Sequence, residues 1–313
     1  MTKLHIIDGA TGQDGVLLTR YLQETTDDSI VGLTRDVTGD NALRFKSCFD
    51  DIDLIDNRKF IADDQICSGF SEIFVYQFSG QSSVGLSFKD PQRTLSSHIS
   101  WLADLFEALA PYKEVVKVFY PLSGDCFGGT VLSGATEITP FNPKSPYAEV
   151  KVMAYEYCEY LRRNSNFDVS YGILFNHESI FRKETFALRK IVNQAREVVD
   201  GTRPNIELGN VDIVRDWGAA DDFVRAMPLI AAAPSGELYI VATGTSASLS
   251  SLVDYVLGRL GLTWREHVVI DPKLFRDSEV GVSVGDPTKI EKNLGWKASK
   301  SIFDVIDEML DER

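Results

Sequence analysis

Near its start the sequence reads Leu4-His5-Ile6-Ile7-Asp8-Gly9-Ala10-Thr11-Gly12-Gln13-Asp14-Gly15, a short apolar run followed at once by three evenly spaced glycines. The apolar run predicts a buried strand, and the apolar spacing from Val16 onward predicts a helix. Glycines at a strand-to-helix turn let the backbone approach a ligand, and the helix N-terminus favours a phosphate. A plain turn is the alternative, but the position at the start of the chain favours a dinucleotide-binding loop.

The rest of the chain repeats this alternation of short apolar runs and helical patterns. Further strands are predicted at residues 29–33, 53–56, 72–76, 115–120 and 238–241, and helical spacing recurs at 101–109 and 302–310. Strands that alternate with helices predict a parallel sheet covered on both faces. The predicted fold class is therefore α/β, a doubly wound parallel sheet (Rossmann-like), which binds ligands at the carboxyl ends of its strands.

Residues after the second, third and fourth strands are candidate cofactor contacts. Arg35 and Asp36 follow the second strand, where an arginine accommodates the 2′-phosphate of NADP and an acid bonds the ribose 2′-hydroxyl of NAD. Arg35 comes first, so we expect NADP, with NAD possible. Asp53 and Leu54 belong to the third strand end and are expected near the adenine. Phe78 begins a small-residue stretch able to pass close to the cofactor.

A second stretch, Ser145-Pro146-Tyr147-Ala148-Glu149-Val150-Lys151, carries the candidate chemistry. Ser145 can cap a helix whose first turn accepts Pro146, and this puts Tyr147 and Lys151 four residues apart on one face. An ammonium beside a phenol lowers the pKa of the tyrosine, which can then take a proton from an alcohol as hydride leaves the same carbon. Taken alone, the pattern is also typical of an exposed tyrosine packed on a lysine stem.

Three other features favour the chemical interpretation. Ser123 follows the strand predicted at 115–120 and precedes Tyr147 by 24 residues. Together with Lys151, these two residues resemble the catalytic trio of the extended short-chain dehydrogenase/reductase superfamily, and the glycine loop resembles its cofactor signature. Within that superfamily, several stretches resemble GDP-mannose 4,6-dehydratases: residues 9–15, 81–88, 139–147, 172–179, 215–218 and 285–289. The resemblance covers nearly the whole chain.

The resemblance implies a set of site residues. Catalytic roles are implied for Ser123, Asp125, Tyr147 and Lys151. Cofactor contacts are implied for Gly9, Gly12, Gln13, Asp14, Gly15, Arg35, Asp53, Leu54, Phe78, Tyr147 and Lys151. Substrate contacts are implied for Val84, Asn176, Arg182, Lys190, Arg215, Arg276 and Glu279. Arg182, Arg189 and Lys190 also suit a diphosphate by charge, although a solvated basic face on the helix predicted at 186–198 is the alternative.

The implied reaction is an internal redox elimination on a GDP-sugar such as GDP-mannose. Tyr147 would take the proton of the C4 hydroxyl while NADP+ takes the C4 hydride, with Lys151 and Ser123 in support. A carboxylate would then remove the C5 proton and assist loss of the C6 hydroxyl as water. Return of the hydride to C6 leaves a 4-keto-6-deoxy sugar, so the cofactor is recycled without leaving.

The carboxylate position departs from the family pattern. The family has a glutamate where this chain has Asp125, which is one methylene shorter, and a misplacement on the order of 1 Å can cost about a hundredfold in rate. Gly124 replaces a family serine. A nucleotide-sugar 4-dehydrogenase or epimerase of the same superfamily is therefore the alternative activity. A non-catalytic NADP-binding sensor is a more distant alternative.

The resemblance also predicts how the chain divides. Residues 1–175 and about 210–245 are expected to form the dinucleotide-binding domain. Residues from about 176–209 and 246–313 are expected to form a smaller, discontinuous nucleotide-sugar-binding domain over the carboxyl edge of the sheet. Of the histidines, His5 is expected to pack in the first strand and His177 to position its neighbours, while His98 stands where the family has asparagine.

Composition excludes several other classes. A net charge of −14 argues against a nucleic-acid partner, because phosphate backbones need a basic surface. The four cysteines lack metal-ligand spacing, so we expect no metal and idle thiols in a reducing compartment. We find no signal peptide and no run of 18 apolar residues, and so expect no membrane association. The idle thiols favour the cytoplasm, and the resemblance implies a homodimer or homotetramer.

Overall fold

The computed structural model describes residues 2–63, 65–275 and 279–312. Within these residues, seven strands form one parallel sheet in the spatial order β3-β2-β1-β4-β5-β6-β10. The strands are β1 (Lys3–Asp8), β2 (Ser29–Thr34), β3 (Asp53–Asp56), β4 (Glu72–Gln77), β5 (Val116–Ser123), β6 (Asp168–Leu174) and β10 (Leu238–Val241). The predicted strands and the predicted fold class are confirmed.

Helices cover both faces of this sheet. One face packs against α3 (Asn57–Ala62), α6 (Trp101–Leu109) and α7 (Pro146–Ser165). The other packs against α1 (Gln13–Thr25), α2 (Asp40–Cys48) and α9 (Ala220–Ala231). The strands are apolar on both sides because each side meets a helix layer, which is the pattern of a buried parallel sheet. Two short helices, α4 (Val84–Lys89) and α5 (Pro91–Leu95), and a π-helical turn at Ser96–Ser100 lead into α6.

Helix α7 begins where the sequence predicts. The Ser145 hydroxyl accepts a hydrogen bond from the backbone N–H of Ala148 at 3.1 Å, and Pro146 occupies the first turn. A cap of this kind stabilises a helix by about 1 kcal/mol. Tyr147 and Lys151 therefore lie one turn apart on the buried side of α7.

A second, smaller layer lies over the carboxyl edge of the large sheet. Its strands are β7 (Asn176–Glu178), β9 (Val214–Ala219), β11 (Ser246–Ser248) and β13 (Val282–Ser283), with β9 pairing to the other three. Strands β8 (Ile206–Leu208) and β12 (Val268–Ile270) form a separate parallel pair. A third apolar core joins α8 (Ala187–Val199), α10 (Leu249–Leu260) and α13 (Ile302–Asp311). A short helix, α11 (Trp264–His267), belongs to this half, and a second short helix, α12 (Thr288–Leu294), contacts β10 of the large sheet.

The sheets place one boundary differently from the sequence analysis. Strand β9 pairs within the smaller sheet, whereas α9 and β10 join the large one. The segment that returns to the large sheet therefore begins at Ala220 and not near residue 210. Ile290 of α12 and Trp296 also pack into the core under the large sheet, although their part of the chain was expected to lie in the smaller domain. Strand β9 ends at Ala219 and α9 begins at Ala220, so the chain passes from the smaller sheet to the large one without a linker. Sequence periodicity does not reveal a boundary of this kind.

Candidate active site

A cavity lies at the carboxyl ends of β1, β4 and β5, between the two sheets. Fourteen of the residues predicted for the site line it: Gly9, Gly12, Gln13, Asp14, Gly15, Phe78, Val84, Ser123, Asp125, Tyr147, Lys151, Asn176, Arg182 and Arg215. Tertiary structure thus brings together the glycine loop, the Ser-Tyr-Lys trio and two cations that are far apart in the chain.

The glycine loop is packed so closely that side chains have no room. Gly9 has φ +85°, and a Cβ there would lie 2.8 Å from the backbone N of Ser79. A Cβ at Gly15 would lie 2.5 Å from the carbonyl oxygen of Gly9. Gly12 stands at the N-cap of α1 without a side chain of its own. The loop therefore leaves bare backbone and the positive end of a 13-residue helix facing the cavity, which suits a diphosphate.

Asp14 and His177 form a buried ion pair beside this loop. The His177 ring donates from Nδ1 to the carbonyl oxygen of Phe175 at 2.7 Å and from Nε2 to the Asp14 carboxylate at 3.1 Å. Burial acts to lower the pKa of His177, but the Asp14 carboxylate and its hydrogen bond raise it more. Burial likewise acts to raise the pKa of Asp14, and His177 outweighs it, bringing that pKa to about 2. Asp14 therefore favours the imidazolium form of His177, and the two hydrogen bonds fix the orientation of the ring.

Gln13 ties the glycine loop to the smaller layer. Its side-chain nitrogen donates to the carbonyl oxygen of His177 at 3.2 Å, and its oxygen accepts from the Ser179 hydroxyl at 3.0 Å. Through these two bonds the start of α1 and the β7 exit hold each other in place. Gln13 acts on the cavity's shape as well as lining it.

The trio of Ser123, Tyr147 and Lys151 converges on one wall of the cavity. Tyr147 is 8% exposed and hydrogen-bonds to Ser123, whose hydroxyl also accepts from the backbone N–H of Asp125 at 3.2 Å. Lys151 is 6% exposed, and its Nζ donates to the carbonyl oxygen of Pro121 at 2.8 Å. Burial lowers the pKa of Lys151 to about 8. A phenol, a hydroxyl and an ammonium thus share one small volume.

The pKa of Tyr147 moves opposite to the expectation. Burial and the nearby charge of Asp125 raise it above its ordinary value, although the hydrogen bond with Ser123 acts to lower it. Lys151 donates to the Pro121 carbonyl and lies 4.9 Å from the centre of the Tyr120 ring, and it is not among the main influences on the pKa of Tyr147. The prediction that Lys151 lowers the pKa of Tyr147 is therefore wrong for the protein without bound ligands.

Asp125 lies in the short turn Gly124–Phe127 that follows β5, close enough for its charge to act on Tyr147. Gly124 packs under an aromatic ring, since a Cβ there would lie 2.9 Å from Cδ1 of Phe175. Phe175 thus fills the space that a serine side chain at position 124 would need. This pairing explains why the departure at Gly124 is compatible with the fold.

Two of the predicted substrate-binding cations lie in the cavity wall. Arg182 forms an ion pair with buried Glu178 at 3.2 Å and its guanidinium stacks on the Phe186 ring at 3.7 Å. Arg215 is buried and donates to the carbonyl oxygens of Val214 and Gly281 at 2.9 and 3.2 Å. Fixed guanidiniums of this kind suit phosphate oxygens.

Other predicted residues lie outside the lining of the cavity. Lys190 is on α8 but away from the wall, and its neighbour Arg189 pairs with Glu312 at 2.6 Å. Val280 lies beside the turn at Gly129, and Glu279 precedes it outside the wall. The prediction for Arg276 falls outside the described residues. The roles of Lys190, Glu279 and Arg276 remain predictions.

Arg35 and Asp36 directly follow β2. Arg35 is exposed, and Asp36 forms hydrogen bonds within the turn that follows it. The Asp36 carboxylate accepts three hydrogen bonds, from the backbone N–H groups of Thr38 and Gly39 and from the Thr38 hydroxyl, each at 2.9 Å. Asp53 is exposed at the first residue of β3, and Leu54 pairs with Gly32 of β2. A cofactor role for Asp53 and Leu54 stays a prediction.

The cavity wall also contains residues that sequence reasoning did not assign to the site. Gly80, His98, Phe181 and Lys183 all line it. Phe181 packs between the guanidiniums of Arg20 and Arg44, at 5.3 and 5.5 Å from the ring centre. A histidine three residues before an apolar helix is the one signal that could have indicated His98.

In the described part of the chain, no group of His, Cys, Asp and Glu side chains is arranged to hold a metal, and no helix has the length and apolarity to cross a bilayer.

Comparison with known proteins gives a consistent result. A family model described as GDP-mannose 4,6 dehydratase matches residues 6–309. The chain is 32% identical to GDP-mannose 4,6 dehydratase 1 of Arabidopsis thaliana over 99% of this chain and 89% of that protein. It is 30% identical to a GDP-mannose 4,6-dehydratase of Vibrio cholerae over 100% of this chain and 94% of that protein.

Solved structures share the fold at lower identity. A dTDP-glucose 4,6-dehydratase from Streptomyces venezuelae, crystallised with NAD, has a TM-score of 0.84 at 20% identity and covers 98% of this chain and 95% of its own. The RMD protein from Pseudomonas aeruginosa, complexed with NADPH, has a TM-score of 0.78 at 20% identity and covers 99% of this chain and 98% of its own.

Proposed function

The chain belongs to the GDP-mannose 4,6-dehydratase family, as its motifs predict, and from this premise we propose its activity. We propose that it converts GDP-mannose, or a close GDP-sugar, to the 4-keto-6-deoxy sugar by internal hydride transfer through NADP. The observation that carries the proposal is the convergence of Ser123, Asp125, Tyr147 and Lys151 beside the glycine loop in one cavity. This is the set of groups that alcohol oxidation followed by elimination requires.

A nicotinamide dinucleotide fits the glycine loop, because Gly9 and Gly15 let the loop pack tightly on backbone and Gly12 leaves the start of α1 bare toward the cavity, where its diphosphate would lie. When bound, the cofactor accepts a hydride and returns it. We assign NADP and not NAD to this chain for two reasons. One carboxylate oxygen of Asp36 already accepts hydrogen bonds from the turn that follows it. Arg35 is exposed at the end of β2 and suits a 2′-phosphate. Gln13, Asp14 and Phe78 complete this part of the wall.

Tyr147 is the acid–base residue in this proposal. Its phenolate form takes the proton of the sugar's C4 hydroxyl and becomes the phenol, and Ser123, which hydrogen-bonds to Tyr147, would hold the same hydroxyl. Lys151 supplies positive charge on the same helix face. Because burial raises the pKa of Tyr147 in the protein alone, ionisation of the phenol depends on positive charge that arrives with the bound ligands.

Asp125 is the carboxylate of the elimination step. It removes the C5 proton, made acidic by the new 4-ketone, and passes that proton to the departing C6 hydroxyl, which leaves as water. The product then needs the hydride at C6 and a proton at C5, and Tyr147 holds the proton taken from the C4 hydroxyl that can supply C5. Asn176, Arg182 and Arg215 are placed to hold the diphosphate, and Val84 lies at the opposite wall. Lys190, Arg276 and Glu279 are proposed to contact the nucleotide end of the substrate.

The shorter carboxylate of Asp125 favours a second candidate, a 4-dehydrogenase or 4-epimerase that stops after C4 oxidation. The two activities are distinguished by loading the purified protein with NADP, removing the excess, and incubating it with GDP-mannose and no further NADP. The dehydratase yields a product lighter by one water with no net NADPH absorbance at 340 nm. Accumulation of NADPH, or a product of unchanged mass, contradicts the dehydratase assignment.

We also propose a homodimer, formed through the outer face of α4, α5 and α7. Leu86, Phe88, Leu95, Met153 and Tyr160 are large apolar side chains exposed on these helices, and α4 and α5 both pack against α7. Several exposed large apolar side chains on helices that pack together indicate an interaction surface. The cysteines are free thiols, which agrees with our assignment to the cytoplasm, where thiols stay reduced.

A further inference from the structure

Residues 179–186 connect β7 to α8 and form no helix or strand of their own. This connecting segment nevertheless supplies part of the cavity wall, through Phe181, Arg182, Lys183, Thr185 and Phe186. Irregular segments have fewer backbone hydrogen bonds than the elements they join and open more readily. The position of Arg182, which the proposed function uses for the diphosphate, therefore depends on what anchors the segment.

The first anchor is Ser179, at the start of the segment. Its hydroxyl donates to Oε1 of Gln13 at 3.0 Å and accepts from the backbone N–H of Phe181 at 3.2 Å. Its carbonyl oxygen accepts from the backbone N–H of Arg182 at 3.0 Å. These bonds tie the backbone at the beginning of the segment to the glycine loop.

The second anchor is the Phe181 ring, which packs against the apolar core shared by α1 and α2. The Arg20 guanidinium of α1 and the Arg44 guanidinium of α2 lie over this ring, at 5.3 and 5.5 Å from its centre. Both distances are within the range of a cation–π interaction. Phe181 thus joins the connecting segment to two helices of the large sheet.

The two arginines face this ring and no carboxylate. Arg44 Nε is buried without a hydrogen-bond partner, and in the described part of the chain no carboxylate pairs with either guanidinium. Neither arginine lines the cavity, so a ligand there would meet the ring and not these two charges. In a chain with 46 acidic residues, arginines that face an aromatic ring in this way indicate a packing role.

The other contacts of Arg182 do not connect it to these helices. Its guanidinium pairs with buried Glu178 at 3.2 Å and lies 3.7 Å from the centre of the Phe186 ring. Glu178 belongs to β7 and Phe186 to the connecting segment itself. The neighbouring Phe181 side chain is what links this part of the wall to α1 and α2.

We propose that Phe181 is a positioning residue whose ring, held by Arg20 and Arg44, fixes the connecting segment so that Arg182 meets the diphosphate of the substrate. The contact needs an aromatic face and not apolar bulk alone. It acts on the substrate end of the cavity and leaves the packing of the glycine loop unchanged. The inference rests on the proposed function only for the identity of the ligand as a GDP-sugar.

The first test needs no ligand. Amide hydrogen exchange in the full chain is followed by NMR at the backbone N–H groups of Arg182 and Phe186, which bond to carbonyl oxygens within the segment. Phe181→Leu keeps apolar bulk and removes the aromatic face, so exchange at both groups is expected to rise about tenfold as the segment opens more often. Phe181→Tyr keeps the ring and is expected to exchange at close to the wild-type rate.

Phe74 offers a matched control. Its ring also faces two cations, Lys3 and Lys117, each 5.6 Å from the ring centre, but it does not line the cavity. Phe74→Leu removes a ring of the same kind elsewhere in the fold. It is expected to change neither the exchange of the connecting segment nor the binding of ligands.

The second test measures binding by calorimetry, with GDP titrated into the NADP-saturated protein and NADP titrated into the free protein. Phe181→Leu is expected to weaken GDP binding about tenfold and to leave NADP binding within about twofold of wild type. With GDP-mannose, KM is expected to rise by a similar factor while kcat changes little, because Arg182 holds phosphates and not the reacting carbons.

Arginine variants locate the source of the effect. Arg20→Gln and Arg44→Gln are each expected to weaken GDP binding about threefold, because each removes one of two cations from the ring. Adding either change to Phe181→Leu is expected to weaken binding no further, since the contact is already lost. The double arginine variant leaves the ring in place and serves if Phe181→Leu does not fold.

Unchanged exchange in Phe181→Leu overturns the proposal, and so does a Phe181→Tyr variant that behaves like Phe181→Leu. Equal losses of GDP and NADP binding also overturn it, because they indicate a general disturbance of the fold. Arginine effects that add fully to Phe181→Leu do the same, because the arginines would then act on the ligand directly.

The outcome is separate from the proposed function. A wild-type protein that does not bind GDP contradicts the GDP-sugar assignment. The anchoring role of Phe181 stands in that case if exchange rises in Phe181→Leu and not in Phe74→Leu.

Discussion

At the scale of single residues, burial decides the electrostatics of the site. Tyr147, Lys151, Asp14 and His177 are all buried or nearly so, and each has a pKa set by the balance between desolvation and one neighbouring group. At Tyr147 desolvation outweighs the hydrogen bond from its neighbour, so the pKa is raised. At Asp14 and His177 the charged partner outweighs desolvation, so the pKa of Asp14 is lowered and that of His177 is raised. The same residue types on a surface helix would show little of either effect.

Tyr147→Phe tests the acid–base role. The variant is expected to keep its fold and its KM, and to lose about a thousandfold in kcat, because positioned acid–base groups contribute about 10²–10⁴-fold. The control is Tyr155→Phe, on the same helix but packed edge-on against Tyr171 outside the cavity. Steady-state kinetics with GDP-mannose distinguish them, and equal losses in both variants would show that the helix and not the phenol matters.

The Asp14–His177 pair predicts how stability depends on pH. The folded-state pKa of Asp14 is about 2 against an ordinary 3.8, so its contribution is present above about pH 4 and is lost as the pH falls toward 2. The folded-state pKa of His177 is raised above 6.5, so its contribution is present below about pH 6.5 and is lost as the pH rises through the raised value.

His177→Gln is therefore expected to reduce the free energy of unfolding most between about pH 4 and 6.5, and less at pH 9. Urea unfolding of both proteins across this range measures the difference. A difference that stays constant with pH would mean that the imidazole contributes packing alone.

At the scale of elements, the junction between β1 and α1 depends on backbone that no side chain obstructs. Gly15→Ala places a Cβ 2.5 Å from the Gly9 carbonyl oxygen and 2.6 Å from Cα of Ala10. Both contacts are with backbone, so the loop itself must move. We expect NADP affinity, measured by calorimetry, to fall at least about tenfold, since a loop shift of about 1 Å disrupts such a cradle.

The matched control is Gly258→Ala in α10, where a Cβ meets nothing within 4 Å. It is expected to leave NADP affinity unchanged and to stabilise the protein by about 0.5–1 kcal/mol, because alanine is the better helix former. If Gly15→Ala binds NADP as tightly as this control, the glycine loop is not the diphosphate site.

At the scale of the whole molecule, the cavity lies between the two sheets, and the proposed dimer face lies on the outer side of α4, α5 and α7. Met153→Asp places a charge on the proposed dimer face, where the side chain is 45% exposed. Sedimentation should show the wild type as a dimer and the variant as a monomer. Val199→Asp, at a 52% exposed apolar position on α8, should remain dimeric. A monomeric wild type would disprove this interface.

The sequence by itself determined the elements and the local patterns. The glycine spacing, the Ser145 cap and the one-turn separation of Tyr147 and Lys151 depend on backbone geometry and short-range periodicity, and the structure has them as predicted. The family resemblance added half of the residues that line the cavity. These features could be predicted because each is decided within a few residues of chain.

Tertiary structure alone decided which distant groups meet and how deeply they are buried. Asp14 and His177 are 163 residues apart, and nothing in either neighbourhood indicates their ion pair. Local sequence also does not indicate that His98 packs against Gly80 or that Lys190 lies outside the cavity. Nor does it indicate that the pKa of Tyr147 is raised. The physical reason is that desolvation and contact depend on how layers pack, and packing is a property of the folded chain as a whole.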